Sequence, residues 1–568
     1  MQFQNVVGVV TSVSTGLVAV SLNDGNAAKS IVVGGFCAIP DGRNGSHLIA
    51  LVDSVSGSVD EESSSSGKPP AASANARMTI IGQISPADAG RFRFKRGAES
   101  FPALGSQCFA LSNVELGQLL DAVTATFQKD ELFELGAYSL SQQTRVCASG
   151  NRFFQRHAAI VGSTGAGKSW AVALLLERAS QLQGANIILF DLHGEYKPLS
   201  DPETGFATRL RIAGPADLAS PGDDVLFLPH WLLSRDEMFS VVADIRQESA
   251  YNQAARFAKH IFDLKTEWRD KHKLKKSLQT FTLDSPIPYS LDELIDRLEF
   301  DNNEMVEGAR SEKKGPWNGT LTKVLERFRD RIADRRNGFL FQTPDVADSP
   351  DWLTQLVARL MSSGPDQRGI KIVDFSEVPA DLLAVAASTL ARLLYTVQFW
   401  LEPQDRRPMC LVCDEAHLYL PRTDSADAGQ SRSLETFERI AKEGRKYGVS
   451  LLVVSQRPSD LNSTILSQCN NFLSLRLSND RDQSAVRNLL PDSMKGVSEL
   501  LPILDIGEAL LIGDAVMFPT RIRLDAPSVA PSSASIDFWL EWQKGATSAS
   551  KLALAVENLR RQGRKTAE

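Results

Sequence analysis

At roughly 100–200 residues per domain, a chain of 568 residues holds two to four domains, and an apolar share of 43% is enough for at least one large core. Charged residues at 23% and aromatics at 7% exclude collagen-like, wholly disordered and disulfide-scaffold classes. The formal net charge of −7 excludes a surface that wraps nucleic acid as a whole, because phosphate affinity comes from clustered Lys and Arg; such a contact needs a local channel.

Short Val- and Ile-rich runs open the chain: VVGVVTSV, LVAVSL and SIVVGGFCAI, punctuated by Asn-Asp-Gly and Pro-Asp-Gly turns. They predict a small β-barrel. Residues 54–76 turn Ser-, Gly- and Pro-rich, with too few large apolar side chains to repay ordering, which predicts a disordered loop. RMTIIGQI and SQCFAL then resume the strand pattern, so the loop is an insertion in a barrel ending near residue 115. From His157, short apolar runs alternate with amphipathic helices: AAIVG, a helix over 168–183, then NIILFD. That alternation predicts βαβ units and a parallel sheet. Strand signals vanish between about Pro229 and Gly338, where charged helical stretches predict a helical insertion; its Lys271, Lys273, Lys275 and Lys276 read as a solvated face. GIKIVDF, MCLVCDE, VSLLVVS and FLSLRL bring the α/β pattern back, and EALLIGDAVMFPTRIRL gives a last edge. Past Ala526 a Pro/Ser/Ala linker leads to a helical tail.

No run approaches ~18 uninterrupted apolar residues, and the start MQFQNVVGVV lacks the marks of a signal peptide, so the expectation is a cytoplasmic protein without a membrane segment. Cys37, Cys108, Cys147, Cys410, Cys413 and Cys469 are scattered, as in a reducing compartment. Cys410 and Cys413 form a CxxC with no second pair at zinc spacing, and no metal is assigned to it.

The strongest signal is Gly162-Ser163-Thr164-Gly165-Ala166-Gly167-Lys168-Ser169, which fills every fixed position of GxxxxGK[ST] between a buried strand and a helix. Backbone N–H groups at such a helix start surround phosphate oxygens. The glycines allow close approach, Lys168 supplies charge to the β- and γ-phosphates, Ser169 ligates Mg²⁺, and Trp170 follows on the helix. MCLVCDEAHLYLP supplies the second half: a buried strand ending in Asp414, placed to hold the Mg²⁺ hydration shell, and Glu415, placed to polarise the attacking water. The letters DEAH also belong to a helicase superfamily, whose further arginine motif is not found in this chain.

Gln456, at the tip of VSLLVVS, is either a sensor of γ-phosphate and lytic water or an ordinary strand cap. Arg445 and Lys446 either complement the dipole of a helix ending at Gly448 or reach a neighbouring subunit's γ-phosphate as an arginine finger. After NIILFD come Asp191, His193 and Glu195, a catalytic or coupling element in which Asp191 or Glu195 reaches the magnesium region and His193 makes a polar contact near the nucleotide. Arg156 is either a strand-entry cation or a second contact between subunits.

In order and wording, HAAIVGSTGAGKS, FDLHGEY, IVDFSEVP, CDEAHLYLP, EGRKYGVSLLVVSQRPSDL and GEALLIGDAVMFPTRI resemble the HerA branch of the HerA/FtsK family of ring-forming, ATP-driven DNA translocases. The resemblance covers nearly the whole chain, and DxHGEY with EGRKYG and SQRP is its specific part. It implies a homohexamer with ATP sites between subunits and an N-terminal HAS-type barrel that docks a partner. Double-stranded DNA would thread the central pore. The implied roles are Walker A for Lys168 and Ser169, Walker B for Asp414 and Glu415, sensor for Gln456 and finger for Arg445. The implied partner is a nuclease acting on DNA ends or, in antiphage operons, a nuclease or sirtuin-type NAD-consuming effector. Leu192 stands where family members often have Pro, and the Ser-rich loop lengthens the barrel.

The expected fold is α/β, a P-loop RecA-like core with an N-terminal β-barrel, an inserted helical subdomain and a C-terminal helical tail. Its divisions are a barrel over 1–115, a connector and first core part over 116–228, the helical insertion over 229–345, the second core part over 346–526, and linker and tail over 527–568. The expected function is an ATP- and Mg²⁺-dependent motor on double-stranded DNA. An ATP-regulated platform that organises a partner effector, with little translocation, is the alternative.

Overall fold

Period-two burial along the first 110 residues builds the barrel. In β2 (Leu17–Leu22) the side chains of Val18, Val20 and Leu22 point inward and the intervening residues are less buried. With β1 (Val6–Ser14), β3 (Phe36–Pro40), β4 (His47–Val59), β5 (Ala72–Pro86), β6 (Phe92–Arg96) and β7 (Gln107–Ala110), the order is β2-β1-β7-β3-β4-β5-β6, and β5 also pairs with β2. Six strands therefore close on themselves and β6 rides on the second half of β5. Closure removes the exposed edges that a small sheet otherwise presents. Val7, Val10, Val18, Val20, Ile39, Val52 and Met78 fill the interior.

The structure, a computed structural model, describes residues 3–562 apart from 15, 24, 44, 60–71, 88–90, 243–249, 308–310, 362–367, 491 and 534–536. The loop expected over 54–76 is narrower than that span. β4 and β5 pair from His47↔Ile84 out to Val59↔Ala72, with register shifts between Ile49 and Ala50 and between Val52 and Ser54, so both flanks are ladder, and 60–71 lie outside the described residues. Main-chain hydrogen bonding orders these flanks despite their small polar side chains. The run SIVVGGFCAI is also not one strand: a short helix ends at Ser30 and a turn at Gly34 (φ 82°) precedes β3.

By contact, the chain divides into two compact units. One comprises Met1–Ala179, Leu452–Asp460 and Leu466–Ala530, the other Ser180–Leu451, Leu461–Ile465 and Pro531–Glu568. In the first unit, Ala158–Val161 lies parallel between Leu452–Ser455 and Asn471–Ser474. The sheet continues antiparallel through Glu508–Gly513, Thr520–Leu524, Leu132–Tyr138 and Ser141–Ser149. The last two form a hairpin where the sequence suggests only a connector. Tyr138 ties that hairpin to the barrel: its Oη–H donates to the Gly34 carbonyl at 2.9 Å, and its ring stacks on Phe36.

The second unit carries five parallel strands in the order Val225–Leu226, Ala207–Ile212, Ile370–Asp374, Ile187–Asp191, Met409–Cys413. The last three are buried along their whole length, which explains their unbroken apolar text. Helices Arg235–Val242, Ala250–Lys271, Leu291–Asn302 and Thr322–Ala333 occupy the stretch read as a helical insertion. Lys271, Lys273, Lys275 and Lys276 are exposed there. The helix Ala380–Trp400 is long and apolar enough to cross a membrane, yet 78% of its most apolar window is buried inside the chain, as befits a core helix. The tail forms helices Phe538–Gln543 and Ala549–Arg561, neither with a buried residue.

Candidate nucleotide site and acid cluster

Residues 162–169 form a loop between Ala158–Val161 and the helix Lys168–Ser180. Both neighbouring strands pin it: Gly162 N–H donates to Ser455 O at 3.3 Å, and Ser163 N–H to Arg476 O at 2.8 Å. Gly165 (φ 74°) and Gly167 (φ 104°) take backbone conformations that L side chains rarely adopt, and a Cβ on Gly162 would stand 2.9 Å from Leu475 Cβ. The cradle thus requires glycine at these positions. Lys168 is 9% exposed, with its Nζ 3.4 Å from Ser163 O, and Trp170 is 43% exposed on the first helical turn. A cation and main-chain N–H groups at the start of a helix, on a loop whose glycines allow close approach, fit a phosphate chain.

Gln456 meets this loop. Thr164 Oγ1–H donates to Gln456 Oε1 at 2.6 Å, so the expected sensor is in hydrogen-bond contact with the P-loop. Arg156 is committed elsewhere. It pairs with Asp514 within its own unit, the arrangement expected of a strand-entry cation.

In the second unit, the buried strand Met409–Cys413 delivers Asp414 and Glu415 to its carboxyl end. Asp414 is 5% exposed, and burial pushes its carboxyl well above the usual range, helped by the charges of Glu415, Asp191 and Glu195. These acids lie within electrostatic reach of one another, but among the described residues no three His, Cys, Asp or Glu side chains stand close enough together to hold a metal ion. Glu415 takes a left-handed conformation (φ 41°, ψ 42°), and His417 Nδ1 lies 3.3 Å from its Oε2.

Asp191 is fully buried and its carboxyl is pushed up to about 6, chiefly by burial. Its Oδ1 accepts from His193 N–H at 3.3 Å and Glu195 N–H at 3.1 Å, and its Oδ2 from Tyr196 N–H at 3.0 Å. These bonds make it the clamp of the DLHGEY loop, with Glu195 and the exposed His193 on the turn. Arg209 Nε–H donates to Asp374 Oδ2 at 3.0 Å, balancing an acid whose charge reaches Asp191. His417, Arg209 and Asp374 were not singled out in the sequence; an acid ending IKIVD was the one available signal.

The helix Ala428–Glu443 opens on a capping box of Asp427 and Gln430, and Gly448 (φ 73°) closes the turn that follows it. Lys442 pairs with Glu438 and Arg439 with Glu443 along it. Arg445 and Lys446 are exposed on that closing turn and, among the described residues, carry no ion pair.

A glycine cradle on a strand–loop–helix, with a strand-end Asp-Glu pair, defines a P-loop ATPase. Residues 133–394 match the family described as "Helicase HerA, central domain". The chain is 28% identical over 397 residues to "DNA double-strand break repair helicase HerA" of Saccharolobus solfataricus, covering 69% of this chain and 68% of the relative. It is 27% identical over 409 residues to the Pyrococcus furiosus protein of the same name, covering 69% of each. The chain is an ATPase whose middle is similar to the HerA central domain. Among solved structures, VirB4 of Thermoanaerobacter pseudethanolicus aligns at TM-score 0.44 and 19% identity, over 70% of this chain and 98% of that one. The plasmid coupling protein TrwB, in complex with ADP and Mg²⁺, aligns at TM-score 0.45 and 15% identity, over 74% and 95%.

Proposed function

We propose that this protein hydrolyses ATP with Mg²⁺ and uses the energy to move along or unwind double-stranded DNA as a ring of identical subunits, six in number. What carries the reading is the glycine cradle in a chain whose middle matches the HerA central domain. The names of the relatives, DNA double-strand break repair helicases, support the choice of substrate.

In this mechanism Lys168 and the loop N–H groups neutralise the phosphates, and Thr164 and Gln456 form one polar unit that senses the γ-phosphate. Ser169 and Asp414 would hold Mg²⁺, which supplies charge to the β- and γ-phosphates when bound. Glu415 accepts the proton of the attacking water, and Arg445 serves the neighbouring subunit's phosphate. The barrel docks a partner, a nuclease or sirtuin-type NAD-consuming effector, in DNA end processing or antiphage defence in the cytoplasm.

ATP turnover measured with and without duplex DNA tests the reading. Stimulation by DNA alone, abolished in Lys168→Ala, is the expected result. Turnover that responds only to a partner protein would replace the motor with an ATP-regulated platform.

A further inference from the structure

We infer that Trp170 and Ile506 form the slot that holds the base of the bound nucleotide, so that the site recognises a purine by stacking on its face. The inference rests on the ATPase reading above and adds the part of the substrate that the glycine cradle does not touch.

The first observation is an exposure that the rest of the helix lacks. Trp170 is 43% exposed, whereas Ala171–Leu176, which follow it, are all buried at 1% or less. A large aromatic ring left in water at the head of a buried helix forgoes hydrophobic free energy until something covers it. The second is the place of that ring. Ala171 N–H donates to Gly167 O at 2.9 Å, so Gly167 caps the helix and Trp170 is its third residue. Helical side chains lean towards the N-terminus, and the third residue reaches back over the cap, as the acid of a capping box does. Trp170 therefore serves the turn Ala166–Gly167, at the end of the phosphate cradle. The third is what stands against that same turn. Gly507 N–H donates to Ala166 O at 3.4 Å, and a Cβ on Gly167 would stand 3.8 Å from Gly507 N. Ile506, the residue before, is 59% exposed, and Ile503 is 66% exposed on the same segment. An aromatic and an aliphatic residue, both left in water, thus flank one turn of the cradle.

Polar groups around Ile506 are already engaged. Asp505 Oδ1 accepts from Ile506 N–H at 2.8 Å and its Oδ2 from Arg523 at 3.2 Å, while Glu508 Oε2 accepts from Arg521 at 2.6 Å. What these two side chains offer a base is a flat ring and a branched aliphatic chain, which grip a π-face and are indifferent to the groups on its edge. The larger purine ring is held more tightly than a pyrimidine, and adenine and guanine nearly alike.

The test titrates the full chain, in Mg²⁺, with ADP, GDP, CDP and inorganic pyrophosphate by calorimetry; diphosphates avoid turnover, and pyrophosphate carries the phosphates without a base. The parent should bind ADP and GDP within about fivefold of each other and CDP roughly tenfold more weakly. Trp170→Ala should weaken ADP and GDP by about 5- to 150-fold, the worth of one stacked base, and leave pyrophosphate within about twofold. Trp170→Phe keeps a ring and should recover most of the loss. Ile506→Ala should weaken ADP by about threefold or more, again with pyrophosphate unmoved. ADP affinity within about twofold of the parent in Trp170→Ala overturns the inference. An equal loss of ADP and pyrophosphate also overturns it, since Trp170 would then only support the phosphate loop. Discrimination between ADP and GDP of about 10⁴-fold overturns the stacking mode, because a site that discriminates so far hydrogen-bonds the edge. If Trp170→Ala does not fold, Ile506→Ala decides, and unchanged ADP affinity in that variant overturns the inference. A parent that binds neither ADP nor pyrophosphate would instead remove the nucleotide reading itself, a separate failure.

Discussion

In the proposed mechanism Lys168 holds the nucleotide and Glu415 cuts it, and their substitutions should separate the two. Lys168→Ala removes the one cation inside the cradle, so nucleotide affinity should fall by an order of magnitude or more (~10-fold at least) in an equilibrium titration. Glu415→Gln keeps the shape but not the proton acceptor. It should bind ATP normally and retain it unhydrolysed, with turnover down by ~10²-fold or more in a phosphate-release assay. These residues were legible in the sequence because both motifs are local, each read within about ten positions of a buried strand. The role of Asp191 was not. Its text, the last residue of an apolar run, looks like that of Asp414, and the three N–H groups that make it a loop clamp are turned onto it by a backbone path that spacing does not encode. His417 was hidden for a similar reason, since its contact depends on a left-handed turn that spacing does not encode.

The elements were read well where burial is complete and less well where hydrogen bonds do the ordering. Strands such as Ile370–Asp374 and Val449–Ser455 announce themselves by unbroken apolar text. The helix Asn113–Thr124 was missed although Ser112 and Glu115 spell its capping box, with Ser112 N–H donating to Glu115 Oε2 at 2.7 Å. The far half of the β4–β5 ladder was read as loop because its residues are small and polar. That ladder also carries a pH-sensitive group. Asp53, on β4, is 5% exposed and accepts from Thr79 Oγ1–H on β5 at 2.6 Å, and burial pushes its carboxyl up to about 6. A folded-state value above the unfolded one means that stability is fullest below about pH 4 and is lost as pH rises through about 6. Between pH 4 and pH 8 the parent should lose about 2 kcal/mol relative to Asp53→Asn, whose side chain does not titrate. Urea melts of the two proteins at both pH values measure this; parallel behaviour would show that Asp53 stays charged without cost.

At the scale of the whole molecule, the exposed Arg445 and Lys446 bear on whether the active site is shared between subunits. If Arg445 serves a neighbour, Arg445→Ala and Glu415→Gln rings are each inactive, but mixing them creates interfaces in which both groups are intact. Turnover should recover to as much as about a quarter of the parent level, the share expected from random mixing of two halves of one interface. No recovery at any ratio would assign Arg445 to the helix terminus alone. Alternation of strands and helices foretold the α/β class, while the hairpin Leu132–Ser149 was not foreseen, because it is antiparallel and sits in text that lacks a strand-like apolar run. The strand that bears the glycine cradle has a further consequence, for synthesis. Ala158–Val161 pairs on one side with Leu452–Ser455 and on the other with Asn471–Ser474, both about 300 residues further along the chain. At ~5–20 residues per second, a ribosome exposes the glycine loop roughly 15–60 s before either partner strand exists. Through that interval the nascent chain carries the complete motif without the sheet that shapes it. A transcript truncated before Leu475 would therefore yield the motif's letters and no nucleotide site.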